Sequence, residues 1–85
     1  MKIIVVFDIL EEYSKVRDEL RTFLKDFGGR FLQYSVYELD GDAETLERIK
    51  AGIDKILRKG GGRVDILLPC RMCYSKIMIV DTYKL

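Results

Sequence analysis

The sequence predicts an α+β domain: an antiparallel sheet with two helices on one of its faces. Three observations carry this. Two segments place apolar residues at helical spacing, and a run of glycines stops each of them. Runs rich in β-branched and aromatic residues stand before, between and after these segments. The resulting order is β-α-β-β-α-β, with one further strand expected at the C-terminal end.

The first element is "KIIVVFDIL", where Ile3 to Phe7 are apolar without interruption and the strand is expected to run to Ile9. A continuous apolar run fits a central strand buried on both faces. In the first helix Val16, Leu20, Phe23, Leu24 and Phe27 fall on one stripe. Arg17, Arg21 and Lys25 repeat every four residues on another face, and Gly28-Gly29 ends the helix. "RFLQYSVYEL" reads as strand from Arg30 to about Leu39. Polar Gln33 and Ser35 in its middle indicate two short strands meeting at a turn or bulge, or one long bent strand.

Asp42, after the turn "DGD", is suited to cap the second helix, whose stripe is Leu46, Ile49, Ile53, Ile56 and Leu57. Arg58 and Lys59 suit its C-terminal dipole, and Gly60 to Gly62 stop it. "RVDILLP" is a strand, "CRMCYS" a connection, and "KIMIV" a last short strand.

This is the ferredoxin-like split β-α-β pattern, and 85 residues make it one domain spanning residues 1–85. A chain of this size buries only about 60–65% of its unfolded surface, so association helps it. A homodimer packed sheet to sheet would cover the second face. The extra C-terminal strand could add to the partner's edge by strand exchange.

Hydrophobic residues are 48% and charged residues 34% of the chain, which excludes a disordered polymer. A net charge of +1 requires any nucleic-acid contact to come from local patches. No apolar stretch is long enough to span a membrane. The N-terminus has no signal-peptide pattern, and the cysteine usage fits reduced thiols, so a cytoplasmic location is expected. Few amides and many Lys, Arg and Glu hint at a thermophile.

Asp8 is the first candidate site residue, because a carboxylate at the edge of a buried strand is costly unless it is used. It is either a turn or capping carboxylate or a metal ligand. One carboxylate holds Mg²⁺ poorly, and a two-fold dimer would bring a second Asp8 to the axis. The Arg17, Arg21, Lys25 stripe is a phosphate contact or a solvated helix face, diluted by Asp18, Glu19 and Asp26. Arg30 is a phosphate contact or the partner of a helix-end acid such as Asp26.

Cys70 and Cys73 form a C-x-x-C. Zinc needs about four ligands, and the chain has these two cysteines and no His, so only a dimer would complete that site. A redox motif should open a helix, whereas a strand is expected after this one. Small packing residues or a local turn is the preferred reading.

"VVFDI", the helix with Arg17, "GGRFLQYSVYE" and "VDILLPCRMC", in that order, resemble the small CRISPR-associated core protein family. This is the second of the two adaptation proteins that act together in spacer acquisition. The most specific part is Gln33-x-Ser35-Val36-Tyr37-Glu38 combined with Asp8. The resemblance implies a ferredoxin-like homodimer with Asp8 of both subunits facing a shared Mg²⁺ or Mn²⁺ site. It implies metal-dependent cleavage of single-stranded RNA or double-stranded DNA, in company with the CRISPR integrase. Arg17 matches a helix arginine of the family, Arg30 the basic residue before the motif, and Tyr37 the aromatic within it; Ser35 and Tyr37 support the site. Phe7 stands where family members commonly carry Tyr.

The alternatives are a non-catalytic adaptor bridging integrase dimers on DNA, and a toxin-like ribonuclease of the virulence-associated protein D type. A ligand-binding regulatory domain is a further reading, since fold does not fix function. The adaptor would dock the integrase through Asp81 to Leu85.

Overall fold

A computed structural model describes residues 1–82. Strand β1 (Lys2–Ile9) leads through one 3-10 turn (Glu11–Tyr13) into helix α1 (Ser14–Asp26). Strands β2 (Arg30–Gln33) and β3 (Val36–Asp40) follow, then helix α2 (Ala43–Leu57), strand β4 (Gly62–Leu67) and the short helix α3 (Arg71–Ser75). The sheet order is β2-β3-β1-β4 and every pairing is antiparallel. Both helices share one face, as the split β-α-β order requires.

Alternation along β1 decides which side chains meet the helices. Ile3, Val5 and Phe7 point into the helix-side core with Tyr37 and Leu39 of β3. Val16, Leu20 and Leu24 of α1 and Ile49, Ile53 and Ile56 of α2 close over them. Complete burial of a residue such as Leu20 contributes about 1.5–3 kcal/mol. Gly52 allows the two helices to approach, because the Phe23 ring occupies the space where a Cβ would stand. Gly28 follows the last turn of α1 at φ +83°, a conformation that ends helices and favours glycine.

The predicted strand tract is two strands, joined by a turn at Tyr34 and Ser35, and the β2–β3 register shifts between Phe31 and Gln33. Asp42 caps α2 as expected: its Oδ1 accepts from the Thr45 backbone N–H at 2.8 Å. That bond is the largest cause holding the Asp42 carboxyl below the usual carboxylate range.

The C-terminal reading needs correction. "CRMCYS" is not a plain connection, because Arg71–Ser75 form α3. "KIMIV" forms no strand in this single chain. Met78, Ile79 and Val80 are 89%, 74% and 95% exposed, so none of the described residues covers them. A strand exists only by pairing with an edge. Among the described residues no strand pairs with this segment.

Candidate functional site: the open face of the sheet

The face of the sheet away from α1 and α2 is built from the alternate residues of each strand. Cross-strand register places Glu38, Ile4 and Leu67 in one row, Val36, Val6 and Asp65 in the next, and Asp8 opposite Arg63. Arg30 extends the first row from β2. Apolar residues and charges thus share a face that α1 and α2 do not cover.

Asp8 lies at the last position but one of β1 and is exposed. Two backbone bonds fix the chain on either side of it. Phe7 N–H donates to the Ser35 carbonyl at 3.0 Å, and Leu10 N–H donates to the Gly61 carbonyl at 2.7 Å. Arg63, opposite Asp8, donates its Nε to Asp65 Oδ1 at 3.0 Å instead. The Asp8 carboxylate has no hydrogen bond or ion pair among the described residues. It caps no helix or turn among the described residues.

Phe7 points the opposite way, with its ring stacked 6.2 Å from that of buried Tyr37. A tyrosine at position 7 would therefore carry its hydroxyl on the helix side and not beside Asp8.

The other residues singled out from the sequence fall in three places. Tyr37 is fully buried on the helix side, and its hydroxyl accepts from Arg21 Nε at 3.2 Å. The Arg21 guanidinium also lies 5.2 Å from the centre of the Tyr34 ring. The Tyr37 hydrogen bond is the largest influence raising the Arg21 pKa. Arg17 stays near the surface, 3.9 Å from Asp18. Ser35 contributes its carbonyl, which positions the end of β1. Asp8 and the arginines of α1 therefore belong to opposite sides of the sheet.

Arg30 pairs with Glu38, not with Asp26. Glu38, which the motif includes without a site role, is 5% exposed and is the one buried charged residue among those described. Its carboxylate also takes a 2.7 Å hydrogen bond from the Tyr74 hydroxyl of α3 and lies 3.5 Å from Lys2 Nζ. A buried charge is tolerable when paired and hydrogen-bonded in this way. The available signal was an acid at an open-face position between two inward-pointing apolar residues, Tyr37 and Leu39.

Both cysteines are exposed, which overturns the expectation that they are packing residues. Cys70 stands at the start of α3, where its Sγ accepts the Cys73 backbone N–H at 3.4 Å. The local-turn reading is the one the structure bears out.

Among the described residues no three His, Cys, Asp or Glu side chains cluster to hold a metal. Asp8 of one chain is one ligand. A Mg²⁺ ion there needs further oxygens from waters, phosphates or a second carboxylate. No helix among the described residues is long and apolar enough to cross a membrane.

The fold and this unpartnered carboxylate at the end of the central strand define a small ferredoxin-like domain with an exposed acid on its open sheet face. The family model for CRISPR associated protein Cas2 matches residues 1–77. The chain belongs to that family and is a CRISPR adaptation protein. Among solved structures, the crystal structure of Streptococcus pyogenes Cas2 at pH 6.5 superposes with a TM-score of 0.81 at 18% identity. The match covers 95% of this chain and 100% of the other, and shows the shared fold. No curated protein sequence matches the chain.

Proposed function

We propose that this chain is a metal-dependent phosphodiesterase that works in CRISPR adaptation as a homodimer, with Asp8 from each copy facing one divalent ion. The observation that carries the reading is Asp8 itself: an exposed carboxylate, fixed by strand bonds on both sides, with no partner of its own among the described residues. A second copy set against the open face would supply the missing carboxylate by symmetry. Exposed apolar residues on that side, Leu67 and the segment Ile77 to Val80, give such a copy surface to bury.

Asp8 would hold Mg²⁺, or Mn²⁺, beside a phosphodiester of single-stranded RNA or duplex DNA. When bound, the ion supplies positive charge at the phosphoryl oxygen and lowers the pKa of an attached water. Arg17 would touch the backbone phosphates from the helix side. Arg21 and Arg30 would do so only by sharing contacts they already make, to Tyr37 and to Glu38. The CRISPR integrase is the expected protein partner and the cytoplasm the expected location. Of the segment Asp81 to Leu85 proposed to dock the integrase, residues 83–85 lie outside the described residues.

A second reading is favoured by one observation: the chain has no histidine, so no side chain stands out as a general base. On that reading the dimer holds duplex DNA between integrase dimers and cuts nothing. The Asp8→Ala variant separates the two. Loss of RNA or DNA cleavage in Mg²⁺ or Mn²⁺ buffer, with the wild type active, supports the enzyme. Intact spacer acquisition by Asp8→Ala, or a wild-type preparation that never cleaves, supports the adaptor.

A further inference from the structure

We propose that Cys70 and Cys73 form a redox-active dithiol, which closes to a disulfide within the chain by exchange with a small anionic disulfide of the glutathione class. The sequence argues against this only through the strand expected after Pro69. The structure replaces that strand with α3, so the C-x-x-C follows β4 and opens a helix. The objection that a strand follows the motif is thereby removed.

The geometry brings the two groups together across one turn. Cys70 Sγ accepts from the backbone N–H of Cys73 at 3.4 Å. Both residues are exposed, so a small disulfide can reach them. Beside Cys70 lies an open cleft of about 440 Å³ whose lining includes Met1, Lys2, Asp40 and Arg71. Lys2 and Arg71 in that lining suit an anionic thiol compound. Asp40 opposes it, but is itself held by Lys2 at 3.0 Å. The Cys73 backbone N–H also draws the Cys70 thiol below its ordinary pKa, which raises the share of reactive thiolate.

The step balances as two exchanges. The Cys70 thiolate attacks one sulfur of the small disulfide, forming a mixed disulfide and expelling one small thiolate. The Cys73 thiol loses its proton to solvent, and its sulfur attacks the Cys70 sulfur. The new Cys70–Cys73 bond forms as the second small thiolate leaves. Two protein thiols are oxidised and one small disulfide is reduced to two thiols.

The test uses the full chain, equilibrated in buffers of graded reduced and oxidised glutathione, then acid-quenched, alkylated and weighed intact. The expected result is loss of both alkylatable thiols in one transition, with the mass falling by two hydrogens and no lasting glutathione adduct. Cys73→Ser should trap one glutathione on Cys70. Two thiols that stay alkylatable throughout the series overturn the proposal, as does a disulfide formed between chains. So does retention of zinc by the purified protein that blocks alkylation until a chelator is added. Because Cys70 and Cys73 lie outside the candidate phosphodiesterase site, this result does not depend on whether Asp8 supports cleavage.

Discussion

The two faces of the sheet are made from alternate residues of the same strands, yet they obey different rules. On the helix side, Ile3, Val5, Tyr37 and Leu39 are at most 1% exposed, and the one polar atom among them, the Tyr37 hydroxyl, is bonded to Arg21. On the open side, Ile4 and Glu38 are buried, Val6 is half-buried, and Asp8 and Leu67 are exposed. One face satisfies every group within the chain. The other leaves a carboxylate and several apolar side chains without internal partners. Stability concentrates where satisfaction is complete, and binding chemistry has room where it is not.

The contrast can be broken at its strong end. Leu20 is fully buried under both layers of the helix-side core. Leu20→Ala removes its contacts and leaves a cavity that packed neighbours refill only in part. It should cost about 2–5 kcal/mol in urea unfolding. The same truncation at Leu67, half exposed on the open side, should cost far less in dilute protein. If the two losses are equal, the faces do not differ as described.

Glu38 sharpens the comparison because it is the one place where the open face behaves like a core. Its side chain is 6% exposed, whereas that of its partner Arg30 is 59% exposed. Glu38→Ala therefore frees Arg30 and Lys2 into water and does not strand them. The cost is that of lost charged hydrogen bonds, about 1.5–3 kcal/mol, not that of an unpaired buried ion. The same change releases the Tyr74 hydroxyl, so hydrogen exchange should quicken in Arg71–Ser75 while Ala43–Leu57 stays protected. Unchanged exchange in α3 would show that Glu38 does not tether it.

The sequence made the helix side legible and the open side only in part. Helical stripes such as Val16, Leu20 and Leu24 are local patterns, and so are the Asp42 cap and the Gly28 stop; each depends on neighbours within a few residues. Glu38 was not legible, because its partners Lys2 and Tyr74 are both 36 positions away. The segment Lys76–Val80 forms no strand in the single chain for a related reason. Its β-branched apolar pattern suits a strand, but propensity does not supply an edge to pair with. Asp8 stood out as an anomaly in an apolar run. Its freedom from internal partners depends on Arg63 turning to Asp65, which no local pattern specifies.

The smallest effect is the most discriminating. Asp8 is exposed and unpartnered, so Asp8→Asn removes no interaction from the described fold. Its unfolding free energy should change by less than about 0.5 kcal/mol in metal-free dilute protein. If two copies set their Asp8 carboxylates near one axis, like charges oppose association until an ion is present. Asp8→Asn should then associate more readily than the wild type without divalent ions, and lose the gain in dimer that Mg²⁺ gives the wild type. Sedimentation at several protein concentrations, with and without Mg²⁺, reads both changes. Identical behaviour of the two proteins in both buffers would remove Asp8 from any shared site, and would leave the open face as a docking surface whose one free carboxylate has no part in the contact.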